Sequence, residues 1–485
     1  MRTLLIFALS GLCSCGLFMS SNPCDYGMCA GDASADGAGD VAVIEGGGDA
    51  GPDAPPGCDL AKEPKDSPPC IADAVGVFVS VMGDDMNPGT KASPVKTVGK
   101  ALSLVGSKPR IYVCEGTYGE DVVLDVAHDG VSLYGGWKCG DWSYGGSKPV
   151  LGKGQLGLRL DGLSKAVVVA DVEVHGADGD TLRPTSMAAL VSNASDVTLR
   201  RVVLLAGKGK DGAAGTLSAY NYPMQSALNG KAASGNTPGA DNPVTCPGGA
   251  MTTGSAGGSG GGQAGVNGQP ALGAGQGGTA GSCGSTGTGK DGANASAAAN
   301  APSPATVGTL SMTGWTPSSG TAGTSAGPGQ GGGGGYGSGG GGGGGGGAGG
   351  CGGAGGGGGA GGGGSIALGV LMSSVKVEAS TLGTQSAGNG GAGVAGQAGQ
   401  STGGFFANGS PPGCSGGNGG TGGNGGAGSG GAGGISAGVL YKGAMPSLDA
   451  PTTGQTTVGA KGNKGAGGAG NDGPDGISLP VVMSP

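Results

Sequence analysis

Large aromatic side chains are scarce in this chain, with 3 Trp, 9 Tyr and 5 Phe in 485 residues. That supply excludes a conventionally packed globular core of this size. Charge is also thin, at 12% of residues and a net −8, and no basic patch points to nucleic acid. The N-terminal apolar run is shorter than the ~20 residues a membrane-spanning helix needs. The two histidines, His128 and His175, lie far in sequence from Cys24 and Cys29, the one closely spaced pair among the cysteines after Cys15. Zinc is therefore not expected, nor any other metal or cofactor. No Ser-His-Asp order, H-E-x-x-H motif or specific phosphate loop occurs, and glycine runs match G-x-G-x-x-G by composition alone. Proline is almost missing from the glycine tracts, which argues against a collagen triple helix.

Glycine is what the chain has in excess: 126 residues, against a usual share of roughly 7%. Residues 341–364 are glycine except for Ala348, Cys351, Ala354 and Ala360. Those four are spaced by three or a multiple of three. The run 416–428 places Asn418, Thr421, Asn424 and Ala427 at the same interval. A three-residue period matches an extended left-handed helix without internal hydrogen bonds. The tracts are expected to form a polyglycine-II-like bundle, or otherwise to be disordered. In the bundle the third-position residues, Cys351 included, are expected to face outward.

The chain begins MRTLLIFALSGLCSC, one arginine and then an apolar run, which reads as a signal peptide over 1–14. Leu12-Cys13-Ser14-Cys15 resembles the lipobox of bacterial lipoproteins, which implies lipidation at Cys15. Gly16 follows, so the resemblance implies an outer-membrane rather than an inner-membrane anchor. Residues 15–70 read as an acidic Ala/Gly/Asp/Pro tether. Asp32, Asp36 and Asp40 are evenly spaced there but lack a calcium-loop pattern. Ten further cysteines remain as disulfide candidates: Cys24, Cys29, Cys58, Cys70, Cys114, Cys139, Cys246, Cys283, Cys351 and Cys414. An even number suits an oxidising compartment. Pairing is not derivable from sequence; sequence neighbours are the simplest expectation, with Cys114–Cys139, Cys246–Cys283 and Cys351–Cys414 among them.

From Val75 the chain reads as strand, turn and short helix. Val77, Val79 and Val81 alternate, Asn87-Pro88-Gly89 is turn chemistry, and Val95, Val98 and Leu102 have helical spacing. Gly83, Asp85, Asn87, Pro88, Gly89 and Thr90 resemble the G-x-D-x-N-P-G-T opening of pectate-lyase-like right-handed parallel β-helix proteins. Short Val/Leu-rich runs then follow without helices between them, as expected of stacked coils. The texture of 187–205 recurs at 365–382 and 434–448, each time followed by glycine. The predicted organisation is all-β. Coils occupy 71–206, 365–383 and 434–485, and glycine-rich insertions at 207–364 and 384–433 (a shorter one lies within 434–485) leave from one corner.

The whole is similar to Gly-rich repeat bacterial lipoproteins. That resemblance implies a surface-exposed protein held to the membrane by its lipid, with a structural or adhesive role and surface polysaccharide as a partner. The scaffold also hosts polysaccharide lyases and hydrolases, so a carbohydrate-active enzyme is the alternative. The candidate polar cluster is Asp171, Glu173 and His175, which strand alternation places on one face. No catalytic residue is assigned. Tyr134, Trp137, Trp142 and Tyr144 read as a satellite aromatic cluster pinned by a Cys114–Cys139 bridge.

Overall fold

The computed structural model describes residues 54–484. The predicted signal peptide, Cys15, Cys24, Cys29 and most of the tether lie outside the described residues. The described chain is mostly β, and its main strands fall into three parallel sheets that the chain visits in rotation. Sheet A contains Gly76–Val79, Arg110–Cys114, Ser132–Trp137, Val167–Ala170, Val197–Arg200, Val375–Glu378 and Ser447–Leu448. Sheet B contains Thr117–Tyr118, Val150–Leu151, Glu173–Gly176, Val203–Ala206, Thr381–Gly383 and Thr456–Thr457. Sheet C contains Val122–Leu124, Leu156–Asp161, Ser186–Ser192, Ser365–Leu371, Ser436–Lys442 and Ser478–Met483. Each pass A to B to C is one coil, an arrangement consistent with a β-helix type fold.

Strands this short bury little alone; register makes the core. In sheet A the partners Val77, Ile111, Leu133, Val169, Leu199, Val377 and Leu448 stack on one another. In sheet B, Tyr118, Leu151, Val174, Leu204 and Leu382 do the same. All belong to or pack against one apolar cluster. Aliphatic ladders therefore supply the core for which the chain lacks aromatics.

The first coil is opened by the Gly-Asp-Asn-Pro-Gly-Thr loop. Asp85 accepts from the amides of Lys96 and Thr97, and the Asn87 amide donates to the Pro94 carbonyl at 2.9 Å. Gly89 takes φ +74° and packs on Val77. Thr97 caps helix α1, Val98–Leu104, through the Lys100 amide, and the Glu120 carboxylate accepts from Val98 and Gly99 at the same end. These contacts satisfy amides that a helix N-terminus leaves free.

The corners are one-residue left-handed kinks. Asp171 and Arg201 (φ 57° and 52°) turn sheet A into sheet B, and Ala379 (φ 48°) repeats the turn a coil later. Their amides bond corner to corner, Asp171 to the Arg200 carbonyl and Arg201 to that of Glu378. The long insertions leave from the turn between sheet B and sheet C: residues 207–364, 384–435 and 458–477 each join a sheet B strand to the next sheet C strand. This is the single insertion corner expected from the repeated texture.

The ordered body starts earlier than the tether reading implied. Residues 58–70 carry two 3-10 turns, Pro64–Asp66 and Pro68–Cys70, closed by a Cys58–Cys70 disulfide. This strap lies on sheet A. Arg110 donates to the Leu60 and Lys62 carbonyls at 2.8 and 2.7 Å, and the Tyr112 hydroxyl donates to the Cys70 carbonyl at 2.6 Å. Beneath it Phe78, Tyr112, Trp137 and Trp142 pack in one cluster with Cys114, the Phe78–Trp142 and Tyr112–Trp137 pairs edge to face and Phe78–Tyr112 tilted. The Cys114–Cys139 bridge is formed, as the sequence suggested.

Candidate functional site

Strand alternation grouped Asp171, Glu173 and His175; the structure separates them. The strand ends at Ala170 and the left-handed corner at Asp171 resets the alternation. Asp171 is buried. Its carboxylate accepts two hydrogen bonds from Arg201 at 2.8 and 2.7 Å and one from the Tyr144 hydroxyl at 3.0 Å. Glu173 and His175 sit on the following strand, half exposed and paired at 2.6 Å. A recess of about 300 Å³ beside His175 also holds Lys153, Asp178 and Gln385. Glu173 and His175 bond to each other, and among the described residues no third ionisable side chain bonds to either. Among the described residues no cluster of three or more His, Cys, Asp or Glu is disposed to hold a metal ion.

Asp171 instead belongs to a charged clasp that the sequence reading missed. Glu63 on the strap accepts from both Arg200 and Arg201, and Arg200 also donates to Glu378 at 2.6 Å. Burial opposes the charge on Glu63, but the hydrogen bonds from Arg201 and Arg200 outweigh it and hold its pKa below the ordinary value. Hydrogen bonding to Asp171 raises Arg201 above its usual value against the penalty of burial. The adjacent pair Arg200-Arg201 at the end of a Val/Leu strand was the one sequence signal available. Its partner is 137 residues away.

The glycine tracts form the other candidate. The amides of Gly347, Gly350, Gly353, Gly356, Gly359 and Gly362 donate to the carbonyls of Gly417, Gly420, Gly423, Gly426, Ser429 and Ala432. Gly320, Gly323, Ala326, Gly329, Gly332 and Gly335 donate to the carbonyls of Gly359, Gly356, Gly353, Gly350, Gly347 and Gly344 in antiparallel order. Segment 388–400 donates to 351–363, again at every third residue. The tracts are thus hydrogen-bonded to one another with a period of three, which settles backbone groups that such helices cannot satisfy internally.

Glycine is required where backbones touch. A Cβ on Gly353 would lie 2.0 Å from the Gln397 carbonyl oxygen, and one on Gly359 1.9 Å from that of Gly391. The third-phase positions of 341–364 do not face solvent as expected: Ala348, Cys351 and Ala354 are buried. This tract lies inside the bundle, with 320–335, 388–410 and 417–432 bonded to it and segment 210–235 on a further side. Outward phases occur on outer tracts, where Asn424 is exposed and Asn418 and Thr421 are half buried. Asp291, Asn294 and Asn300 keep the same phase; their side-chain oxygens accept from the amides of Asn418, Thr421 and Ala427 at 2.6, 2.8 and 2.8 Å.

The bundle's disulfides correct the expected pairing. Cys246 joins Cys351 and Cys283 joins Cys414, across separations of 105 and 131 residues. Folding the tracts back on one another places distant residues side by side, so sequence proximity does not select the partner.

A family model described as a protein of unknown function (DUF1565) matches residues 81–153. That family is associated with parallel β-helix proteins. The match spans the opening loop, helix α1 and the first coil. Comparison with curated proteins and with solved structures finds no match. The class defined by fold and site is a coil of parallel sheets carrying a hydrogen-bonded glycine bundle. The four disulfides among the described residues point to an extracellular or periplasmic protein. No helix among the described residues is long and apolar enough to cross a membrane.

Proposed function

We propose that the chain is a cell-surface lipoprotein, anchored to the outer membrane through Cys15, with a non-catalytic structural or adhesive role. In this reading the coil is a right-handed parallel β-helix, and the glycine tracts are a polyglycine-II-type bundle that projects from it toward surface polysaccharide or other envelope components. The observation that carries the reading is the bundle. Three insertions from one corner are cross-bonded by their backbones, and two long-range disulfides hold the tracts together. So much chain invested in a backbone-bonded body away from any converging ionisable set favours display over chemistry. Asp171 is engaged in the clasp, which leaves Glu173 and His175 alone. The test is fractionation with acyl labelling: wild type is labelled and sediments with outer membrane, and Cys15→Ser is unlabelled and released. An unlabelled, soluble wild-type protein refutes the anchor.

The carbohydrate-active alternative rests on the Glu173–His175 pair beside its recess. Depolymerisation of acidic and neutral polysaccharides by wild type, lost in Glu173→Gln, is the result that favours it.

A further inference from the structure

Within the long glycine-rich insertion a hairpin, Gly308–Ser311 with Gly314–Pro317, folds back over the outer face of sheet C. It seats Leu310 and Trp315 in one cluster with Leu190, Ile366 and Leu440. The cover is incomplete. Between the hairpin, the sheet C strand Leu156–Asp161 and loop 182–185 lies a cavity of about 490 Å³. Leu156, Met187, Met312 and Trp315 supply apolar walls, and Arg159 and Arg183 supply charge. No carboxylate lines it, although the chain is net acidic. Leu182 and Met312 are 90% and 51% exposed at its wall.

Two donors here lack acceptors. Arg159 is held by Asp161 at 2.6 Å, and Asp161 is itself held by the Ser192 hydroxyl at 2.6 Å. This fixes the guanidinium and leaves its Nε buried with no acceptor in the protein. Trp315 is 5% exposed, and its Nε1 is also buried without an acceptor. Buried donors left unpaired are uncommon and costly. The Arg183 guanidinium makes no hydrogen bond or ion pair among the described residues.

We propose that this cavity binds a small organic anion with an apolar body, an acyl or aryl group carrying one carboxylate or sulfonate. The body packs on Leu156, Met187, Met312 and Trp315. The oxyanion meets the Arg159 and Arg183 side chains that the cavity wall presents. The volume lies within the roughly 300–1,000 Å³ of small-molecule sites. A sugar fits less well, because the apolar walls of Leu156, Met187, Met312 and Trp315 offer its hydroxyls nothing to bond. The inference does not depend on the lipid anchor or on the role of the bundle.

The test is titration of 1-anilinonaphthalene-8-sulfonate onto the oxidised full chain. Expected is saturation at a single site, with energy transfer from Trp315 that Trp315→Phe removes. Arg183→Ala deletes an exposed cation whose side chain makes no hydrogen bond or close ion pair, only a coulombic contact with Asp180, and weakens binding about tenfold, the worth of one charge-assisted hydrogen bond. Met312→Glu, at an exposed position, weakens it comparably. Unsaturable binding, or binding unchanged by Arg183→Ala and Met312→Glu, overturns the proposal. So does equal affinity for neutral N-phenylnaphthylamine, which removes the anion requirement, or displacement by galacturonate oligomers, which reassigns the cavity to sugars.

Discussion

Gly422→Ala adds one methyl group to the glycine bundle, and the structure says what it meets. A Cβ at Gly422 would stand 1.9 Å from the Cys351 carbonyl oxygen and 2.4 Å from its carbon, where real contacts stay beyond 3.0 Å. The obstacle is backbone and cannot rotate away. The tracts must part, and three hydrogen bonds sit at the point of separation: Gly422 to Gln400, Gln400 to Cys351, and Gly350 to Gly420. At about 1 kcal/mol net for each bond, the cost is on the order of 3 kcal/mol, within the range for overpacking a well-filled interior. Thr421 is the internal control. It is the neighbouring residue, half buried; its amide donates to Asn294 and its carbonyl accepts from Ala295, while its side chain makes no hydrogen bond among the described residues. Thr421→Val is expected to change little. Hydrogen exchange by mass spectrometry over 341–364 and 416–434 of the oxidised protein is the assay. Gly422→Ala should accelerate exchange on the order of a hundredfold, since each 1.4 kcal/mol is about tenfold. Equal exchange in both variants refutes the packing argument. Complete exchange of the unmutated protein at the earliest time refutes an ordered bundle altogether.

Tyr112 gives a stability limit at high pH. Burial raises its pKa to about 12, so its contribution is intact below pH 10 and is lost as pH rises toward 12. The ordinary value is 10.0, so the loss is on the order of 3 kcal/mol, and Tyr112→Phe should lessen the fall in thermal stability between pH 10 and 12, the rest coming from Tyr118 and Tyr134, which burial also raises. Glu63 acts at the other end. Its pKa lies below the usual 4.5, so the clasp is complete above that pH and weakens as pH falls below it. Proteolysis of the strap should rise in acid for wild type, and Glu63→Gln should expose it at neutral pH. Reduction of Cys246–Cys351 and Cys283–Cys414 opens loops of 105 and 131 residues. Each should cost about 4–5 kcal/mol on the chain-entropy estimate, and Cys246→Ser should loosen the bundle before the coil in residue-resolved exchange.

Some of this was legible because it is local. Asn87-Pro88-Gly89 fixes a turn by its own backbone chemistry, and Val98 and Leu102 fix one face of a short helix. Alternating Val and Leu fix which side of a strand is inside. Cys114 and Cys139 are brought together by an adjacent strand and its loop. The three-residue period of the glycine tracts fixed their bonding period, because steric freedom and repeat length are properties of the segment alone. Other features needed the tertiary structure. Asp171 reads as a strand residue until the corner is seen, since a single left-handed residue reverses the alternation and leaves no compositional trace. Glu63 finds Arg200 and Arg201 only because the strap crosses sheet A. Cys351 pairs with Cys246 for the same kind of reason. Glycine tracts bond through backbone groups that are the same in every tract, so their three-residue period does not say which tract lies beside which; the Asp291, Asn294 and Asn300 contacts and the two long-range disulfides become readable only once the tracts are packed.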